Sequence, residues 1–203
     1  MRSEEFPYGT SLPCNSVMVY SARTPHFSLP QNLNFMKTIP RGLRNNNPLN
    51  IRHSASRWQG VRAEQTDKSF VQFTSMAMGY RAAWRILETY YKHFETEHRP
   101  FTARNIIYRW APPEENDSEA YLRTVCRLAN LAGNAPLVRP SRAHDRTDRE
   151  KLINLLAAMT CVENGVKMEE VDVAAVREGY WKAFRSSTTL PSNPYEHTCL
   201  NSA

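Results

Sequence analysis

No window of the 203-residue chain is apolar for long enough to span a membrane. The first residues also lack the apolar core of a secretion signal, because Glu4, Glu5 and Pro7 stand where it should be. Glycine is scarce at 7 residues, and none of it forms a phosphate-cradling loop. The four cysteines, Cys14, Cys126, Cys161 and Cys199, are not spaced as metal ligands, and the histidines show no ligand spacing either. Neither a metal nor another cofactor is expected. Four scattered cysteines, two of them inside helical patterns, suit a reducing compartment rather than a disulfide framework. No serine or cysteine sits on a nucleophile elbow, so covalent acyl chemistry is not expected. There is no internal repeat.

What remains is a basic chain of ordinary core content, 41% hydrophobic and 10% aromatic, with net charge +6. The charge is concentrated. Residues 1–36 sum to zero and residues 187–203 hold only Glu196, so the middle carries +7. Such a domain attracts polyanions: nucleic acid, anionic wall polymer or an anionic membrane surface. No basic helix is dense enough to mark a specific nucleic-acid site. The best candidate for polyanion contact is the run Arg139, Arg142, Arg146 and Arg149, although a solvated loop is the favoured account of it.

Residues 1–36 are rich in Ser, Pro and Asn without periodicity and read as a disordered leader. Translation starting at Met36 fits the pattern as well as a start at Met1. Residues 187–203 read as a disordered tail, leaving 37–186 as the folded domain. Short strands are expected near 49–53, 58–62 and 70–73. Tyr80, Ala83, Trp84, Leu87, Tyr91 and Phe94 define one face of a helix over about 76–94. Further helices are expected from Thr102 to Trp110, from an N-cap at Asn116, from an N-cap at Asp148, and over about 169–184. The layout is α+β and mainly α.

The segment Arg41-Gly-Leu-Arg-Asn-Asn-Asn-Pro-Leu-Asn-Ile-Arg52 stands out. Asn45, Asn46, Asn47 and Asn50 offer carboxamides that both donate and accept, which suits a polyhydroxylated ligand. Asx-turns ahead of a strand explain the same residues without a ligand. Together with Trp58-Gln-Gly60, Thr66-Asp-x-x-Phe-x-x-Phe73, Gly79-Tyr-Arg-Ala82 and Arg109-Trp-Ala-Pro-Pro-Glu-Glu115, the segment resembles a phage and prophage family. Its members are usually labelled virion structural proteins, and their layout is similar to that of lysozyme-like glucosaminidases and muramidases. The resemblance covers residues 38–132. It implies a lysozyme-like helical domain with a small β-hairpin region beside a glycan cleft.

The expected target is therefore peptidoglycan glycan, either cleaved or bound, reached after lysis or from a virion by a protein made in the cytoplasm. Other virion proteins are expected partners. A non-catalytic virion or wall-binding module and a basic nucleic-acid-binding protein are the competing readings. One departure matters. The glucosaminidase-type relatives carry an acid at the end of a helix just before the Asn-rich segment, and here only Glu4 and Glu5 precede Arg41. Cleavage needs two carboxyl groups. The candidates are Glu115, with Trp110 and Pro112-Pro113 as an apolar wall, and Glu64 or Asp67 in the hairpin loop. The expected sugar contacts are Asn45, Asn46, Asn47, Asn50, Arg52, Trp58, Gln65, Trp110 and Tyr121.

Overall fold

The computed structural model describes residues 39–185. The leader and tail expected at the two ends lie outside the described residues. Helices dominate. A single turn, α1 (Arg41–Arg44), opens the described part. It is followed by α2 (Met76–Thr96), α3 (Ala103–Trp110), α4 (Ser118–Ala129), α5 (Arg146–Asn164) and α6 (Val173–Phe184). Short 3₁₀ turns sit at Pro140–Arg142 and Met168–Glu170.

Five of the six described α-helices, α2 to α6, start at a side-chain cap, whereas α1 follows Pro40 without one. The Ser75 side chain accepts from the Met78 amide, Thr102 from Asn105, Asp117 from Ala120, Asp145 from Thr147 and Asp148, and Asp172 from Ala175. Two caps therefore differ from expectation. Asp117 replaces Asn116, and Asp145 replaces Asp148, which lies inside the first turn of α5. In both places two adjacent or nearby Asx residues compete. The one whose carboxylate reaches the free amides wins.

The core is organised around α5, which is buried from Leu152 to Cys161 save for Asn154 and turns no continuous polar face to solvent along that stretch. Helix α2 lies beside it, with Tyr80, Trp84, Leu87 and Phe94 buried. The Tyr80 hydroxyl meets Thr160 Oγ1 at 3.1 Å, so even the polar atoms between the two helices are paired. Helix α6 closes against α2. Trp84 Nε1 donates to the Val176 carbonyl at 3.0 Å, and its ring meets Tyr180 edge-on at 5.2 Å. Gly179 makes the approach close: a Cβ there would lie 2.7 Å from Tyr80 Cβ and 2.9 Å from the Ala77 carbonyl oxygen.

The loop before α5 is pinned by a buried ion pair. Glu88 is only 4% exposed and takes Arg139 Nε at 2.6 Å and Ser141 Oγ at 3.0 Å. Burial opposes its charge, but the Arg139 and Ser141 bonds outweigh that and hold its pKa below the ordinary value. Arg139 thus leaves the basic run that the sequence suggested and serves the interior.

The expected strands shrink to antiparallel bridges, Arg52 with Phe70 and Val61 with Phe73. The central arm, residues 69–74, still bonds to both neighbours: Val71 N to Ile51 O at 3.0 Å and Arg62 N to Gln72 O at 2.9 Å. Side chains interrupt the ladder. Gln72 Oε1 accepts from the amides of Thr66 and Asp67, and Gln65 Oε1 accepts from Gln72 N. The result is a hairpin region with no extended strand among the described residues.

Gly179→Ala should destabilise the fold by about 1–3 kcal/mol, because the added methyl meets α2 backbone rather than a movable side-chain end. Urea unfolding of the two proteins measures the difference.

Candidate functional site

The Asn-rich segment folds back on itself. Asn47 is fully buried; its Nδ2 donates to the carbonyls of Ile51 (2.9 Å) and Val71 (2.8 Å), and its Oδ1 accepts from Ile51 N. Asn45 is likewise buried, bonded to Asp67 and Gln72. Asn46 has a positive φ of 52° and donates to the Phe73 carbonyl. These three amides, expected at a sugar, are spent on the hairpin backbone and its polar side chains. The structure presents them inward because a turn without a strand ladder needs side-chain partners for its backbone.

Asn50 is different. It also has a positive φ, 50°, and its Nδ2 reaches 113 residues along the chain to the C-terminal turn of α5, donating to the Glu163 carbonyl at 3.1 Å and to Glu163 Oε2 at 3.0 Å. Asn164 returns the contact, donating to the Pro48 carbonyl at 2.7 Å. The carbonyls in the last turn of a helix lack intrahelical partners, and Asn50 supplies one. Gly42 fits beneath this joint: a Cβ there would fall 2.4 Å from Asn164 Oδ1 and 2.7 Å from Asn50 Oδ1.

Glu163 is the centre of the site. Its Oε1 accepts from Trp110 Nε1 at 3.1 Å and from the Tyr121 hydroxyl at 3.0 Å. Burial, then the neighbouring Glu163 charge, pushes the Tyr121 phenol well above its ordinary pKa, so it stays the donor. The carboxylate is half-buried and faces a cleft of about 390 Å³. One wall is Tyr90 and Ile86 of α2, one is Trp110 to Pro112 at the end of α3, and the hairpin contributes Arg52 and Phe70. Glu115 and Asn116 stand on the rim. Tyr90 and Trp110 meet edge-on at 6.3 Å, which fixes both rings.

Of the residues singled out from sequence, the fold brings Asn50, Arg52, Trp110 and Glu115 to this cleft, with Tyr121 behind Glu163. Glu115 is exposed, so Trp110 and the prolines do not wall it off as expected. Glu64 is exposed elsewhere, and Gln65 ties Arg62 to Gln72 through their carbonyls. Trp58 packs against the core, its Nε1 buried without a hydrogen-bond partner among the described residues.

Asp67 works for the hairpin. It takes a two-point pair from Arg41 at 2.7 and 2.6 Å, a bond from Asn45 Nδ2, and the amides of Ser69 and Phe70. The Arg41 bond, against the opposing effect of burial and with the further donors, holds its carboxyl far below the usual carboxylate range. A group so held cannot carry a transferable proton near neutrality.

Glu163 is the residue that sequence reasoning passed over. The signal was present: an acid in the last turn of a helix opposes the macrodipole, a placement that stability alone disfavours. No helical pattern with an acid precedes Arg41 in the sequence, and the expectation falls on Glu115, Glu64 and Asp67 because they flank the Asn-rich segment and Trp110 in the sequence motifs.

No family model matches the chain. It does have a bacteriophage relative. Over 128 residues the chain is 38% identical to Protein P5 of Pseudoalteromonas phage PM2, a match covering 62% of this chain and 71% of that protein. The chain belongs to the family of that phage protein, in agreement with the phage connection its motifs suggested. No helix among the described residues is long and apolar enough to cross a membrane.

Asp67→Asn should lower stability by about 1–3 kcal/mol, the cost of leaving its donors poorly matched. The sign of its pH dependence follows from the depressed folded pKa. The contribution is fully present above the unfolded carboxylate value of about 4, declines below it, and is lost only once folded Asp67 protonates in strong acid. Thermal melts of wild type and variant should therefore differ by a constant amount between about pH 6 and 8, and the difference should begin to shrink only below about pH 4.

Proposed function

We propose that the protein acts on peptidoglycan glycan through a lysozyme-like site, with Glu163 as the general acid. The supporting observation is the placement of Glu163: a carboxylate at a helix end, gripped by Asn50, Trp110 and Tyr121, facing an aromatic cleft. The glycan-cleaving enzymes that the motifs resemble present an acid from a helix end beside an Asn-rich segment. Here the helix comes after that segment in the chain instead of before it.

The division of labour follows from the bonds. Oε1 is occupied by two donors, so the carboxyl plane is fixed. Oε2 has Asn50 alone and retains a position for a proton. Donation from Oε2 to a glycosidic oxygen would break the bond to the leaving sugar as positive charge develops on the ring. In this reading Glu115, exposed on the same cleft, would be the carboxylate that stabilises that charge or activates water. Arg52 and the edge of Trp110 are positioned to hold the chain. Glu64 and Asp67 lie outside the cleft lining and have no part in this reading.

A second reading keeps the cleft for binding alone. The two bonds at Glu163 Oε1 would equally stiffen a groove that holds wall glycan without cutting it.

Glu163→Gln separates the two. Gln keeps the acceptor for Trp110 and Tyr121, and Asn50 Nδ2 keeps its bond to the residue-163 carbonyl, so only the bond to Oε2 is given up. The variant should fold normally and release soluble sugar from purified peptidoglycan about 10²–10⁴-fold more slowly than wild type. Glu64→Gln should be unaffected. Full activity in Glu163→Gln would remove Glu163 as the acid. Sedimentation with sacculi but no release by wild type would establish the binding module.

A further inference from the structure

The opposite end of α5 carries a second site. Between the N-terminal part of α5 and α6 lies a pocket of about 500 Å³ whose charged lining is Arg146, Arg149, Glu150 and Arg177. At 1.5 Å rise per residue, Arg146 and Arg149 stand roughly 20–25 Å from Glu163 along the same helix. The pocket is thus separate from the glycan cleft.

Two of its three arginines, Arg149 and Arg177, are held in place before any ligand arrives. Arg149 Nη1 donates to the carbonyls of Ala143 (3.2 Å) and His144 (3.1 Å), and its guanidinium carbon lies 5.0 Å from the Trp181 ring centroid. Arg177 is fixed by a two-point pair to Glu150 at 3.1 and 2.7 Å. Arg185 stacks on Trp181 with its guanidinium carbon at 4.0 Å from the ring centroid. Arg146 is exposed and makes no side-chain hydrogen bond or ion pair among the described residues. One carboxylate faces three arginines in the lining, and Arg185 on Trp181 adds a fourth cation.

We propose that this pocket binds a phosphate group. Guanidinium forks match phosphate oxygens two at a time, and the uncompensated charge suits a dianion better than a single carboxylate. Preorganised side chains lose little freedom on binding. Nucleic acid fits less well. Single strands are gripped by stacking bases on open aromatic faces, and here two guanidiniums already lie against Trp181. The basic lining is also one pocket rather than a track. The proposal does not rest on Glu163 being catalytic.

Calorimetry on the full chain tests it, with a hexose 6-phosphate, the unphosphorylated hexose, inorganic phosphate and a single-stranded oligonucleotide as probes. The hexose phosphate should bind, more weakly as salt rises, and the plain hexose should not. Arg146→Gln and Arg149→Gln together should weaken binding at least about tenfold, the loss of one charge-assisted bond or more. Because Arg149 also ties down the loop before α5, Arg146→Gln alone is the second variant. It touches no structural bond and should lose affinity with an unchanged melt. Binding that survives both variants, or no binding at all, overturns the proposal. Inorganic phosphate should compete with the hexose phosphate, and binding of the plain hexose as tightly as the hexose phosphate overturns the proposal. Tighter binding of the oligonucleotide through the same arginines replaces it with nucleic acid.

Discussion

Everything at the Glu163 cleft depends on the joint between the Asn-rich loop and the last turn of α5. Asn50 donates to the Glu163 carbonyl and carboxylate, and Asn164 donates to the Pro48 carbonyl. Two amides thus exchange bonds across a contact that only Gly42 is small enough to permit. A helix terminus buried with unmet carbonyls would be costly. The loop meets that need and, in the same contact, fixes the direction of the Glu163 side chain. Trp110 and Tyr121 then grip its other oxygen from α3 and α4. Four separate parts of the chain are committed to the position of one carboxylate, which is the arrangement expected where precision in a site matters.

The hairpin region is stabilised differently. Its strands are too short and too polar to form a ladder, and so side chains take over. Asn47 closes the turn from within, Asp67 gathers five donors, and Gln65 and Gln72 cross-link the arms. Arg41 lies 4.6 Å above the Phe70 ring while it pairs with Asp67, joining the hairpin to α1. This network is why a run of asparagines can be structural. Each amide replaces a backbone partner that a regular sheet would have supplied.

The sequence was most informative where the physics is local. The 3.6-residue spacing of Tyr80, Trp84, Leu87 and Phe94 marks α2 correctly, because one face of that helix meets α5 and α6. Thr102 caps α3 as its side chain suggests. Local chemistry could not decide which of Asn116 and Asp117, or of Asp145 and Asp148, would cap. It could not show that Asn45 and Asn47 turn inward while Asn50 turns out, since that depends on partners in other elements. Glu163 is the clearest case. Its meaning comes from Asn50, Trp110 and Tyr121, which lie 113, 53 and 42 residues earlier. Only its position against the helix dipole could be read from the sequence itself.

The order in which the cleft is assembled has its own consequence. The residues that build its walls, from the hairpin through α2 to Pro112 after α3, all lie before residue 113, whereas Glu163 comes from the far end of α5. Contacts between residues so distant in sequence form late and slowly, because a long loop must close before they can be made. As the chain emerges from the ribosome, the residues of the walls are therefore made before the carboxylate that completes them. A chain cut short ahead of α5 keeps the residues of the walls and has no charge at their centre. Completion of the site is thereby tied to completion of the chain.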